Sequence, residues 1–119
     1  MSLGMPVTDG RGETVQVPLP DAVVAAATCL VDAPRRYFEV APDTVFIPVS
    51  SLVLSHVRQS GIDSALKKMA AAYHGSHDPR PPISVRAMED GKFLVLDGNS
   101  TSAVAIAAGW SDIPCVIQT

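Results

Sequence analysis

The sequence carries few charges and no cluster of like charge. Only 18% of its 119 residues are charged, and 12 acidic side chains outnumber nine basic ones, which gives a formal net charge of −3. A chain that held nucleic acid by its overall charge would have the opposite balance. DNA binding would therefore need a local basic patch, and no run of lysine and arginine in the sequence provides one.

Cysteine is scarce, and long apolar segments are missing. The two cysteines, Cys29 and Cys115, lie far apart in apolar surroundings, and we interpret them as buried thiols of a cytoplasmic protein. No apolar run approaches the roughly 20 residues that a membrane-spanning helix needs, so no membrane association is predicted. His74 and His77 flank Gly75 without an acidic or cysteine partner at motif spacing, and no metal site is predicted.

The first 42 residues are predicted to lie outside the main domain. Residues 1–20 are interpreted as an expression leader followed by a flexible arm, because Met1-Ser2-Leu3 stands ahead of a second methionine. Val15 and Val17 alternate with polar residues, so a short edge strand is the alternative for this arm. Residues 21–42 are predicted to form a helical extension. Its apolar surface is too large for a lone exposed helix, which favours an accessory layer or a homodimer contact.

Residues 43–119 alternate between the signals of strands and helices, and 47% of the whole chain is hydrophobic, enough for one folded core. The order is strand, helix, strand, strand, helix, strand, which is typical of a small α+β domain with a mixed sheet and packed helices. The strands are predicted at Val45–Val49, Ile83–Met88, Lys92–Leu96 and Ile113–Ile117, and the helices at Ile62–Tyr73 and Ser100–Ala108.

One stretch of this domain, Phe93–Val104, has the residues of a strand that turns sharply into a helix. Such a turn leaves the first backbone N–H groups of the helix unpaired, and together with the positive end of the helix dipole they favour an anion. A turn that only caps the helix requires the same residue types, so the residues alone leave both roles open. The residues concerned are Asp97, Gly98, Asn99, Ser100, Thr101 and Ser102.

Several segments, taken in order, resemble the ParB N-terminal superfamily, which includes ParB-like nucleases and sulfiredoxins. The resemblance implies a ParB/sulfiredoxin-like fold over roughly residues 45–117, with a nucleotide-phosphate site where the strand turns into the helix. Members include chromosome-partitioning proteins that bind and hydrolyse CTP, and sulfiredoxins and free-serine kinases that use adenine nucleotides. The segments that carry the resemblance are Ile47–Leu52, Pro81–Arg86, Gly91–Asn99, Ala103–Trp110 and Ile113–Ile117.

The phosphate motif departs from the family pattern at one place. Members usually carry an arginine just inside the helix, where this chain has Ser100 and Thr101. A guanidinium is a strong bidentate partner for phosphate, and hydroxyl and N–H groups compensate less charge. The resemblance also implies that His56, Arg58 and Arg86 contact the ligand. The alternatives are a solvated loop for His56 and Arg58, and surface pairing with Glu89 or Asp90 for Arg86.

Three functions follow from these observations. The first is binding of a nucleotide or other phosphate-bearing ligand at residues 97–102, with a nucleotide and Mg²⁺ as the implied cofactors and little or no catalysis. The second is a metal-dependent nuclease or phosphoryl-transfer enzyme with Asp97 as catalytic residue, although the chain lacks the motif arginine and a second nearby carboxylate. The third is a non-catalytic, dimerising interaction or DNA-associated module. Whether the protein is an enzyme is left open.

Overall fold

Two α-helices and seven strands make up the described part of the chain. The structure is a computed structural model that describes residues 5–18, 38–39, 42–73, 75 and 80–118. In chain order the elements are β1 (Met5–Thr8), β2 (Thr14–Val17), β3 (Val45–Pro48), a short 3-10 helix (Val49–Ser51), β4 (Leu52–Leu54), α1 (Gln59–Tyr73), β5 (Ile83–Ala87), β6 (Phe93–Asp97), α2 (Asn99–Ala108) and β7 (Asp112–Ile117).

The main sheet has five strands in the order β3-β7-β5-β6-β4. β3 and β7 are antiparallel, as are β5 and β6, whereas β7 runs parallel to β5 and β6 runs parallel to β4. The predicted mixed sheet of a small α+β domain is therefore confirmed. Because β4 and β6 are parallel neighbours, their carboxyl ends meet at the same edge of the sheet.

The core lies between this sheet and the two helices. Helix α1 is amphipathic, and helix α2 is buried along most of its length, with Ala103–Ala105 wholly inaccessible. Its small alanine side chains allow α2 to contact α1, the sheet and the first two strands at once. Neither α1 nor α2 is long and apolar enough to cross a membrane, and no other described helix is. The buried side chains of α1 are Ile62, Ala65, Met69 and Ala72.

Residues 5–18 form an antiparallel hairpin, whereas the sequence favours a flexible arm. Strands β1 and β2 pair from Met5 opposite Val17 to Thr8 opposite Thr14. The side chains of Val7, Val15 and Val17 are buried, and burying a valine contributes about 1.5–3 kcal/mol. The flexible arm is thus corrected to a packed hairpin for these residues. The hairpin packs on α1 and α2, which come from distant parts of the chain. The residues around the hairpin therefore carry no signal of this packing.

The helical extension predicted for residues 21–42 lies almost wholly outside the described residues, and the homodimer contact assigned to it stays a prediction. Met1–Leu3, Cys29, His74 and His77 also lie outside them. Phe38 and Glu39 are described. The Phe38 ring packs edge to face on Trp110, with the ring centroids 6.5 Å apart. The Glu39 N–H donates to the Arg80 carbonyl at 2.9 Å, so this short bridge holds Arg80 just before β5.

Candidate functional site

An open cleft lies at the edge of the sheet where β4 and β6 end. It has a volume of about 460 Å³, which falls in the range of small-molecule sites, roughly 300–1,000 Å³. Four parts of the chain form its walls: the segment that follows β4, the first turns of α1, Arg80, and the turn from β6 into α2. The strand-to-helix turn predicted as an anion site therefore lines a real concavity.

Gly98 makes the turn from β6 into α2. Its φ of 97° lies in the left-handed region. A Cβ at this position would lie 2.5 Å from Cγ2 and 3.0 Å from Cβ of Ile83. Glycine is therefore required twice, for its backbone conformation and for the space it leaves. The first backbone hydrogen bond of the helix runs from the Ser102 N–H to the Gly98 carbonyl at 2.9 Å, so the three N–H groups before it have no partner within the helix.

The side-chain amide of Asn99 connects the start of α2 to the residue that follows β4. Its Oδ1 accepts the Ser55 N–H at 2.9 Å, and its Nδ2 donates to the Ser55 Oγ at 3.0 Å. The Ser55 hydroxyl in turn donates to the Val95 carbonyl at 2.7 Å. The Asn99 side chain is buried although the residue lines the cleft. Its amide therefore holds the scaffold together, and only its backbone N–H is free of this network.

The three hydroxyl residues of the first turn of α2 point to different places. Ser100 and Thr101 line the cleft. Ser102 is fully buried, and its hydroxyl donates to the Gly98 carbonyl at 2.8 Å. The prediction that Ser102 contacts a ligand is therefore corrected, because its hydroxyl closes the helix start from inside.

The opposite wall of the cleft is the first part of α1. A Cβ on Gly61 would lie 2.5 Å from the Ser100 Oγ, so the two helices come together at their amino-terminal ends. Ser60, Ser64 and Lys68 follow one another at four-residue intervals and all line the cleft. Neither helix has an acidic residue in its first turn. The first turns of both helices therefore leave their partial positive charges to the cleft, with Asp97, just before α2, as the carboxylate of the lining.

The described residues that line the cleft carry an excess of positive charge. Arg58, Lys68 and Arg80 are cationic, His56 stands beside them, and Asp97 is the one carboxylate. Arg58 and His56 are exposed on the segment after β4, and their contact with a ligand stays a prediction. The sequence analysis gives Lys68 no ligand role, although its spacing from Ser60 and Ser64 is a usable signal, and Arg80 is expected only as a cation close to the predicted site.

Arg86 lies outside the cleft. It is exposed near the end of β5, directly after the fully buried Val85. Because side chains alternate between the two faces of a strand, Arg86 points away from the face on which Val85 packs. The prediction that Arg86 contacts the ligand is corrected for this reason.

Neither cysteine nor metal chemistry is assembled in the described residues. Cys115 lies in β7 and is buried, its thiol donates to the Ile113 carbonyl at 3.3 Å, and burial raises its pKa to about 12 despite a hydrogen bond from the Ile47 backbone. It is therefore not a nucleophile for the cleft. No group of three or more His, Cys, Asp or Glu side chains in this part of the chain is placed to hold a metal ion.

The mixed sheet, the two helices and the cleft between them define a ParB/sulfiredoxin-like fold, as predicted. The chain is similar to SbnI with a C-terminal truncation from Staphylococcus aureus, with a TM-score of 0.53 and 20% identity over 65% of this chain and 31% of that chain. It is also similar to a free serine kinase in complex with AMP, with a TM-score of 0.53 and 18% identity over 69% of this chain and 36% of that chain. At these identities the likeness establishes the fold alone.

The sequence is also similar to a nucleoid occlusion protein of Geobacillus sp. (strain WCH70). The two are 34% identical over 74 residues, which make up 60% of this chain and 26% of that protein. The chain thus spans about a quarter of this relative and about a third of the two similar structures. No protein-family model matches the chain.

Proposed function

We propose that the cleft binds a nucleotide and holds its phosphate between the first turns of α1 and α2. The observation that carries this proposal is the convergence of two helix amino termini and three cationic side chains on one cleft. Each helix end contributes about half a positive charge. Backbone N–H groups at a helix start and nearby guanidinium or ammonium groups are the usual partners of phosphate in proteins.

The cations on the far side of the cleft compensate for the arginine that the turn lacks. Ser100 and Thr101 occupy the position where members of the family usually carry it, and their hydroxyls supply hydrogen bonds without charge. Arg58 and Arg80 supply two guanidinium groups from other elements, and Lys68 adds a third charge. The charge on the phosphate is therefore balanced by side chains from outside α2, whereas α2 contributes N–H and hydroxyl groups.

An adenine nucleotide is the first ligand to test, because a free serine kinase of similar fold is described in complex with AMP. Asp97 is exposed at the end of β6 and lines the cleft. We assign it to a ribose hydroxyl or to a Mg²⁺ ion that accompanies the phosphates, since carboxylates serve both. It is the only carboxylate among the described lining residues, so we propose binding with little turnover and not two-metal phosphoryl transfer.

The test is a calorimetric titration with AMP, ADP, ATP and CTP, each with and without Mg²⁺, and with adenosine as the phosphate-free comparison. We expect weak binding, with dissociation constants of about 0.1–1 mM, and no heat from adenosine. Arg58→Ala should weaken binding about tenfold or more, because a hydrogen bond to a charged group contributes about 1.5–3 kcal/mol.

Arg86→Ala is the matched control, since it removes an exposed arginine that lies outside the cleft. It should leave every dissociation constant unchanged. If no nucleotide binds at millimolar concentration, or if the two arginine variants behave alike, the cleft is not the nucleotide site.

A further inference from the structure

The turn of the N-terminal hairpin is fastened to the segment that lines the cleft after β4. The Asp9 side chain is fully buried. Its Oδ1 accepts the N–H groups of Arg11 and Glu13, both at 2.9 Å, and these bonds close the turn. Its Oδ2 accepts the Val57 N–H, also at 2.9 Å. One carboxylate thus connects the hairpin turn to the middle of the cleft-lining segment.

A second connection lies at the first residue of α1. The Gln16 N–H in β2 donates to the Gln59 Oε1 at 2.9 Å, and the Gln59 Nε2 donates to the Gln16 carbonyl at 2.7 Å. The side-chain amide of Gln59 therefore satisfies the outer edge of β2 as a neighbouring strand would. A third bond, from the Gly10 N–H to the Leu54 carbonyl at 2.7 Å, fastens the start of the same segment.

These connections bracket the two side chains that face the cleft from this segment. His56 and Arg58 are exposed and line the cleft, whereas Val57 between them is buried. Asn99 holds Ser55 from the cleft side. The hairpin holds the next residues from behind. The backbone that carries His56 and Arg58 is therefore fixed from two directions.

We infer that Asp9 and Gln59 are positioning residues of the cleft, which set where Arg58 and His56 lie relative to the first turn of α2. The inference rests on the proposed function, since it requires a phosphate for Arg58 to meet. Asp9 lies outside the cleft lining, and so does Gln59; each acts through the backbone of the segment. Fixing that backbone before binding lowers the entropy cost of ordering it when the ligand arrives.

Two variants separate positioning from folding. Asp9→Asn keeps one carbonyl oxygen for the turn but places an NH₂ group toward the Val57 N–H, so the connection to the segment is lost. Gln59→Ala removes an exposed side chain, and the protein is expected to fold normally. Gln16→Ala is its control, because Gln16 takes part in this pair only through its backbone.

The experiment measures AMP affinity by calorimetry and the amide signals of residues 55–58 by ¹H–¹⁵N NMR. In Asp9→Asn and in Gln59→Ala the dissociation constant should rise about three- to tenfold, as expected if the competent segment is populated at roughly 10–30%. The amides of residues 55–58 should shift and exchange faster in the absence of AMP. Gln16→Ala should match the wild type in both measurements.

A double-mutant cycle identifies Arg58 as the residue through which Asp9 acts. Asp9→Asn should raise the dissociation constant for AMP much less in an Arg58→Ala background than in the wild type. The reason is that Asp9 acts largely through the Arg58 side chain, which that background lacks. The inference is wrong if the wild type binds AMP through Arg58 but both positioning variants bind AMP with wild-type affinity. It is also wrong if the losses of binding free energy in the positioning variants add fully to the loss in Arg58→Ala. If the wild type binds no nucleotide, the proposed function fails and the inference fails with it.

Discussion

Asn99 holds Ser55 by two hydrogen bonds, of 2.9 Å to its N–H and 3.0 Å to its hydroxyl, and so ties the start of α2 to the end of β4. The two residues follow parallel neighbouring strands, and their bonds fix the floor of the cleft. The side-chain amide of Asn99, for which the sequence predicts a ligand contact, thus binds Ser55 instead.

Asn99→Ala should lower the free energy of unfolding by about 1–3 kcal/mol, because the half-buried Ser55 N–H loses its acceptor and the Ser55 hydroxyl keeps only its bond to Val95. Urea denaturation measures the change. Ser100→Ala, in the same turn and half-buried, should change it by less than about 0.5 kcal/mol. Equal losses in the two variants would show that the link to Ser55 is not the cause.

Gly98→Ala should destabilise the protein by about 1–3 kcal/mol from backbone strain, with a further cost from the clash of its Cβ with Ile83. Gly91→Ala is the control, because its φ of 79° is similar but no atom lies within 4 Å of the added Cβ. Thermal and urea unfolding of both variants separate strain from clash. A Gly91 variant as unstable as the Gly98 variant would contradict the steric argument.

Lys68→Ala should weaken AMP binding about three- to tenfold, since a contact with a charged group is worth about 1 kcal/mol or more. Its neighbour Lys67 is equally exposed but does not line the cleft, and Lys67→Ala should bind as the wild type does. Raising the salt concentration should reduce the difference between the AMP dissociation constants of the two variants, because salt screens exposed charges. Identical affinities at low salt would remove Lys68 from the site.

Asp9 should stabilise the protein at neutral pH and lose this effect in acid. Burial raises the pKa of the Asp9 carboxyl, but the backbone N–H groups of Glu13, Arg11 and Val57 and the Arg11 guanidinium together bring it below its ordinary 3.8. A lowered native-state pKa gives stability that is present above the unfolded-state pKa and is lost as the pH falls through the native-state pKa.

Thermal unfolding of the wild type and of Asp9→Asn between about pH 7 and pH 2 tests this linkage. The two unfolding temperatures should differ most at neutral pH and converge below about pH 4, because the variant has no carboxylate to protonate. A constant difference across this range would mean that Asp9 stabilises the fold by something other than its charge.

Local signals predict much of the main domain. The turn through Gly98, the hairpin between β5 and β6 and the helix stripe that begins at Ile62 each depend on residues close in sequence, so composition and periodicity indicate them. The strand, turn and helix at the predicted anion site are indicated for the same reason, since they are consecutive in the chain.

The rest of the site depends on contacts between distant residues. Arg80 reaches the cleft because its backbone pairs with Phe38, and no pattern around Arg80 indicates this. Arg86 follows the family motif but occupies the wrong face of its strand. The hairpin of residues 5–18 has alternating valines as its only local signal. The surface that buries these valines belongs to α1 and α2, which lie much further along the sequence.

The bond from Asp9 to Val57 spans 48 residues, and the pair between Gln16 and Gln59 spans 43. Closing loops of this length costs chain entropy before the contact can stabilise anything, so such contacts form late in folding. The segment after β4 takes its position only after the main sheet and α1, which flank it, have formed. We therefore expect the Val57 amide to gain protection from hydrogen exchange late in refolding, after the amides of the main sheet and of α1. Arg58 and His56 would then reach their positions in the cleft only when the hairpin of residues 5–18 docks.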